Sequence, residues 1–260
     1  MTSDQCRTTR TRRSARIAIV AVIVLAHGAS TAADPKAWPP FLPPADQFGA
    51  AVVTAVEHIW RSPTLVRTAT AETVNIPRET YLAFVDAPDL TASLARHLKL
   101  AEYEVEVVGA DWYRADDHRG ASGVYRVLVR EAATRVILSW GSHRGEVLGT
   151  IRGQALSVMT FETRGERTVP SLTAYVVIEN AVAAQLARML APIFGALMDR
   201  KLTEGFRVTA KVVEWALEDH ARFCAWLATA PLSGERRTAL PAGIPSCTAA
   251  LRQPARPSIG

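Results

Sequence analysis

Gly141-Ser142-His143-Arg144-Gly145 sets a hydroxyl beside an imidazole, the two groups a serine nucleophile needs. A nucleophile elbow also requires a residue between glycine and serine, and a turn from strand into helix. Here Ser142 follows Gly141 directly and alternating segments flank it, so the stretch reads as a hairpin connection. Asp116-Asp117-His118 offers two carboxylates and an imidazole, groups that hold cations or move protons. It sits in a polar run with Arg119 and Gly120 and reads as a solvated loop. The histidines at 58, 97, 118, 143 and 220 show neither H-x-H nor H-E-x-x-H spacing. No CxxC pair and no glycine-rich phosphate loop occurs. The expectation is therefore no catalytic residue, no metal and no cofactor, with an enzyme the less favoured reading.

The remaining signal is apolar. Tyr125, Trp140, Met159, Phe161 and Val176 fall on alternating segments, and Phe194 and Met198 on a helical one. Four segments alternate with period two, at 123–130, 135–140, 151–162 and 172–179, and each is expected to send one apolar set inward. Tyr125, Val127 and Val129 form that set on the first; Val136, Leu138 and Trp140 on the second; Ala155, Ser157, Met159 and Phe161 on the third; Leu172, Ala174, Val176 and Ile178 on the fourth. Hairpin-sized connections at 131–134, 141–145 and 164–167 make an antiparallel meander. Residues 181–229 read as one long, bent helix, with apolar residues at three- and four-residue spacing from Val182 to Met198. Pro192 should kink it, and Gly195 and Gly205 each weaken it by about 1 kcal/mol. Its apolar stripe is the natural cover for the apolar face of the sheet.

Upstream, residues 70–76 carry β-branched residues and end at Pro77, which predicts a first strand. Helices are expected at 78–85 and 90–100, and a half-buried strand where Tyr103, Val105 and Val107 alternate with Glu104 and Glu106. Residues 34–69 read as a proline-rich linker and an amphipathic helix built on Phe48, Val52, Val56 and Ile59. That helix could pack on the main domain or cover a pocket mouth. Residues 230–260 are interrupted by Pro231, Gly234, Pro241, Gly243 and Pro245 and read as an irregular tail. The main domain then spans 70–229.

The chain has 260 residues and a net charge of +5. Residues 1–33 hold five arginines against Asp4, and the rest balances 25 basic against 24 acidic residues. That is no electrostatic footprint for nucleic acid. Arginines at 10–16, an apolar run at 17–26 and small residues up to Ala33 have the layout of a secretory signal peptide at 1–33. The apolar run is about half the ~20 residues a membrane span needs. Thr11-Arg12-Arg13 partly matches a twin-arginine signal, but Ala15 and Arg16 stand where apolar residues belong. The expectation is export to a periplasmic or extracellular space. There the remaining cysteines, Cys224 and Cys247, form a disulfide that pins the tail, or stay as a buried and a free thiol.

The order of strand, two helices, antiparallel strands and long C-terminal helix resembles the helix-grip superfamily of START, polyketide cyclase-like and Bet v 1-like (SRPBCC) proteins. The residues that carry the likeness are Glu72-Thr73-Val74-Asn75-Ile76-Pro77-Arg78-Glu79-Thr80-Tyr81-Leu82-Ala83-Phe84-Val85-Asp86, a strand passing into a helix with Tyr81 and Phe84, and the junction of Tyr175–Glu179 with Ala181–Leu202. The resemblance implies an α+β fold in which a curved antiparallel β-sheet wraps the long C-terminal α-helix. It also implies an apolar space between them, and lipids or other hydrophobic small molecules as partners. Tyr125, Trp140, Met159, Phe161, Val176, Phe194 and Met198 would line that space. Three functions stay open: an exported binding or transfer protein, a cyclase-like enzyme, or an envelope interaction protein with a solid core. Transient membrane contact and oligomeric state are also left open.

Overall fold

A computed structural model describes residues 37–145, 149–190, 195–233, 236–237 and 239–247. The segment expected to be a signal peptide lies outside the described residues, as do Pro192 and Phe194.

The chain first builds α1, Ala50–Arg61. Val52, Ala55, Val56 and Ile59 are buried on one face, at helical spacing. Trp38, Phe41 and Phe48 pack beside it, and the Trp38 indole N–H donates to the Pro43 carbonyl at 2.8 Å. The first strand, β1, is Leu65–Thr70. This corrects the expected strand at 70–76 and the boundary of the main domain at 70. Of those residues only Val74 forms a further bridge, to Thr168. Both stretches are rich in β-branched residues, so propensity does not separate them. Pairing does: β1 satisfies the edge of the last strand, while Ile76 turns into the core ahead of Pro77.

Helices α2, Arg78–Val85, and α3, Pro88–His97, follow. The strands are β2, Glu104–Gly109; β3, Trp112–Asp116; β4, Ala121–Arg130; β5, Thr134–Gly145; β6, Gly149–Arg164; and β7, Arg167–Ile178. All neighbours pair antiparallel in one seven-stranded curved sheet, β1-β7-β6-β5-β4-β3-β2. β3 was not foreseen; it is short, and its turn from β2 passes through Asp111 at φ 60°. The stretch 141–145, expected as a connection, is the end of β5 and pairs through to Gly149.

The expected helix is seen as α4, Ala181–Leu190, and α5, Gly195–Glu218, on either side of residues 191–194, which lie outside the described residues, and as a further helix α6, His220–Thr229. Asp219 separates the last two, and its side chain accepts from the Arg222 backbone N–H at 3.3 Å as an N-cap. The sheet holds α5 against its inner face, which is the helix-grip arrangement.

Both faces of the sheet carry a core. On the inner face Phe161 meets Tyr81, Phe84, Phe206, Val213 and Phe223. On the outer face Val136, Leu138, Leu156 and Val177 meet Val52, Val56 and Ile59 of α1. Full burial of each such side chain contributes about 1.5–3 kcal/mol. This settles where α1 goes: it covers the back of the sheet.

The described residues of the tail after α6 have little regular structure but are packed. Ile244 is buried, and a Cβ on Gly243 would stand 2.7 Å from the Glu79 carbonyl oxygen, so only glycine lets the tail approach α2 so closely. Arg236 grips the buried Asp89 carboxylate with two hydrogen bonds of 2.7 and 2.9 Å. Cys224 and Cys247 are joined as a disulfide, Cα to Cα 5.3 Å.

Candidate functional site

Successive strands set inner-face residues in rows across the sheet, and the rows shrink along it. One row runs Arg135, Met159, Leu172, Ala69. The next runs Val127, Ile137, Ser157, Ala174. Then come Tyr125, Ser139, Ala155, Val176, and finally Gly123, Gly141, Gly153, Ile178. At the glycine row the neighbouring backbones close in: a Cβ on Gly153 would stand 2.7 Å from the Val177 carbonyl oxygen, and one on Gly123 would clash with that of Trp140. Side chains there would force the strands apart, so the row lets the sheet bend.

Bulky residues at one end and small ones at the other leave space beneath α5. A cavity of about 380 Å³ lies between Met159, Ile137 and Val127 below, Leu202, Phe206 and Thr209 of α5 above, and Phe84 and Tyr103 at the sides. A second space of about 510 Å³ continues over the small residues Ser139, Gly141, Gly153 and Ala155 and opens outward. The two share Tyr103, Tyr125 and Ser139.

The wall of the first cavity is apolar apart from the hydroxyl residues Thr91, Tyr103, Tyr125, Ser139 and Thr209, and it carries charged groups at one end. There Arg135, itself buried, donates from Nε and Nη2 to both oxygens of Asp86 at 2.7 Å. Its Nη1 donates to the carbonyls of Thr134, at 2.8 Å, and Glu131. Arg130 Nε adds a 3.3 Å contact to Asp86. Each of these groups is answered within the protein, so the pair closes the wall without presenting net charge. Burial pushes the phenols of Tyr81, Tyr103, Tyr113 and Tyr125 above the ordinary tyrosine range. All four stay neutral at physiological pH.

Of the residues expected to line the space, Tyr125 and Met159 border the first cavity, and Tyr125, Trp140 and Val176 the second. Phe161 does not line it: fully buried, it sits 5.8 Å from the Tyr81 ring and 5.9 Å from that of Phe206, as solid core at the bulky end. For Trp140, which borders the second space from its strand, the direction of the ring is the correction. It faces the outer side, stacked 5.6 Å from Trp112. The phase of β5 is inverted, with Val136 and Leu138 outward and Ile137 and Ser139 inward. Alternation says which residues share a face; it does not say which face when helices cover both. Val129 leaves the expected set too, because the β4 register shifts between Val127 and Val129 and turns it to the outer core. Phe194 lies outside the described residues; Met198 belongs to α5, and its side chain is also outside them.

Sequence reasoning missed Tyr103, Ile137, Asp86, Arg135, Gly205 and Thr209 as cavity residues. Tyr103 had a usable signal, since it begins the alternation with Val105. For Asp86 and Arg135, 49 positions apart, no local pattern exists.

The two constellations with catalytic residue types resolve as structure. Ser142 and His143 are neighbours on β5, so their side chains point to opposite faces and cannot pair. Asp117 accepts from the backbone N–H groups of Arg119 and Ala121, both at 2.8 Å, and Asp116 from that of His118 at 2.7 Å. These are Asx-type turns shaping a loop. Against some desolvation, those N–H groups hold the Asp117 carboxyl below its usual range. Among the described residues one group could gather a metal, His220, Cys224 and Cys247, and its two sulfurs are bonded to each other.

No family model matches the chain, and no curated protein does. Solved structures do. A conserved protein from Geobacillus kaustophilus is similar at 18% identity and TM-score 0.44, over 58% of this chain and 97% of that one. Ara h 8.0201 is similar at 14% identity and TM-score 0.36, over 57% and 98%. The di-domain ARO/CYC BexL is similar at 15% identity and TM-score 0.37, over 63% and 55%.

Proposed function

We propose that this chain is an exported protein that binds, and hands on, a lipid or other hydrophobic small molecule held between the sheet and α5. The observation that carries the reading is the apolar cavity of about 380 Å³ that runs on into a second space over small side chains. Its volume falls in the range of about 300–1,000 Å³ typical of small-molecule sites. A core without a guest would be expected to fill such a space, since interiors pack densely. Binding is favoured over catalysis because the ionisable pair at the wall, Asp86 and Arg135, is spent on itself. Export is the reading of the arginine-rich, apolar, small-residue order of residues 10–33.

Native mass spectrometry of the full chain, purified from its producing cells without detergent, tests the binding function. The expected outcome is a population heavier than the polypeptide by the mass of one small apolar molecule, released on denaturation. A protein of bare mass that also fails to take up pyrene would leave the solid-core reading in its place.

A further inference from the structure

Four tyrosines face the inner side of the sheet region, and they are not alike. Tyr81 donates its hydroxyl to the Phe206 carbonyl at 2.8 Å. The Tyr113 hydroxyl accepts from Arg130 at 3.2 Å. Tyr103 and Tyr125 are half-buried and make no hydrogen bond within the described residues, so their hydroxyls stay open to the cavity space. A guest that shuts these hydroxyls off from water has to bond them, because an unpaired buried hydroxyl costs about 1–3 kcal/mol.

Their location gives the missing partner a place. Both border the first cavity and the second, so they stand at the waist between them. Tyr125 is held there by its strand and by its stacking on Tyr113, ring centres 5.1 Å apart. The third residue of the waist, Ser139, donates its hydroxyl to the Ala155 carbonyl at 3.4 Å, which leaves the two phenols as the donors there. We propose that the bound molecule is an elongated, uncharged hydrophobic compound with a carbonyl-type oxygen near its middle, held by the hydroxyls of Tyr103 and Tyr125. This rests on the ligand-cavity reading above and adds the chemical class of the ligand.

Charge and geometry narrow the class. Two O–H donors bordering one waist suit an oxygen with two lone pairs, such as that of a ketone or ester. An anion at the same depth would lack a counter-charge, since the donors of Arg135 are already engaged with Asp86, Glu131 and Thr134. The apolar cavities on either side take hydrocarbon. Burial keeps both phenols protonated, so they remain donors through the physiological range.

Pyrene and 1-acetylpyrene form a matched probe pair that differs by one carbonyl group. Fluorescence titration should show each of Tyr103→Phe and Tyr125→Phe weakening 1-acetylpyrene about fivefold, with pyrene affinity unchanged. In the wild-type protein, the infrared carbonyl stretch of bound 1-acetylpyrene should lie below its value in hydrocarbon solvent, and Tyr103→Phe/Tyr125→Phe should return it. The wild-type spectrum needs no variant to fold. If pyrene binds but the wild-type carbonyl frequency equals that in hydrocarbon, the tyrosines do not hold the ligand, while the cavity reading stands. If the Phe variants bind both probes like the wild type, the same conclusion follows. If neither probe binds the wild-type protein, the cavity reading fails and this inference with it.

Discussion

On the outer face of the sheet, Val136, Leu138, Leu156 and Val177 meet Val52, Val56 and Ile59 of α1, and five of these seven are fully buried at 0% exposure. On the inner face the same strands offer Ile137, Ser139, Ala155 and Ala174 to α5, and a cavity remains. Both faces are apolar and both are covered by a helix. What differs is the distribution of side-chain size. Phe161, Phe206, Tyr81 and Phe84 are clustered at one end of the inner face and set the height at which α5 rides. A helix is stiff, so it cannot dip to follow the small residues further along. On the outer face β-branched and leucine side chains are of similar size along the contact, and α1 closes down on them. A hollow thus needs no special residue, only a steep size gradient beneath a rigid cover.

The comparison can be broken most directly by paired truncations. Leu138→Ala opens a hole in a solid face and should cost about 3–4 kcal/mol in urea denaturation. Ile137→Ala, on the neighbouring residue of the same strand, enlarges a space that already exists and should cost less than half as much. Equal losses would mean that the inner wall is as tightly packed as the outer.

The next largest effect concerns the backing of the hollow face. The tail and α6 support α2 from behind through Ile244, Phe223 and the Cys224–Cys247 link. Closing a loop with 23 residues of sequence separation stabilises by about 3 kcal/mol in the chain-entropy model. Reduction, or Cys224→Ala/Cys247→Ala, should lower the unfolding free energy by about that amount. It should also weaken pyrene binding more than Leu138→Ala does at equal residual stability. An unchanged melting temperature after reduction would remove the tail from the support of the cavity.

The smallest effect sharpens the picture of the cover. Gly205 of α5 borders the cavity, and a Cβ placed on it meets nothing within 4 Å. Gly205→Ala should therefore stabilise the protein by about 1 kcal/mol, the ordinary helix-propensity gain, with no clash to offset it. Thermal denaturation measures this directly, and a loss of stability would show that α5 sits closer to the sheet than its contacts indicate.

The sequence by itself determined the α+β class, the antiparallel strands β4 to β7, the helices α1 to α3 and the helical nature of the described residues between 181 and 229. Each follows from local periodicity, which a chain carries wherever it is placed. It also named Tyr125, Met159 and Val176, whose strands were read in the correct phase. The rest was decided in three dimensions. Which of two β-branched stretches became β1 depended on the free edge of β7. Whether Trp140 faced in or out depended on a second covering helix, and a register shift in β4 moved Val129 away from Val127. The pairing of Asp86 with Arg135 and the meeting of Tyr103 with Tyr125 join residues far apart in the chain. Periodicity fixes which side chains share a face of their own element; only packing against distant elements fixes what that face meets, and whether anything fills the space between.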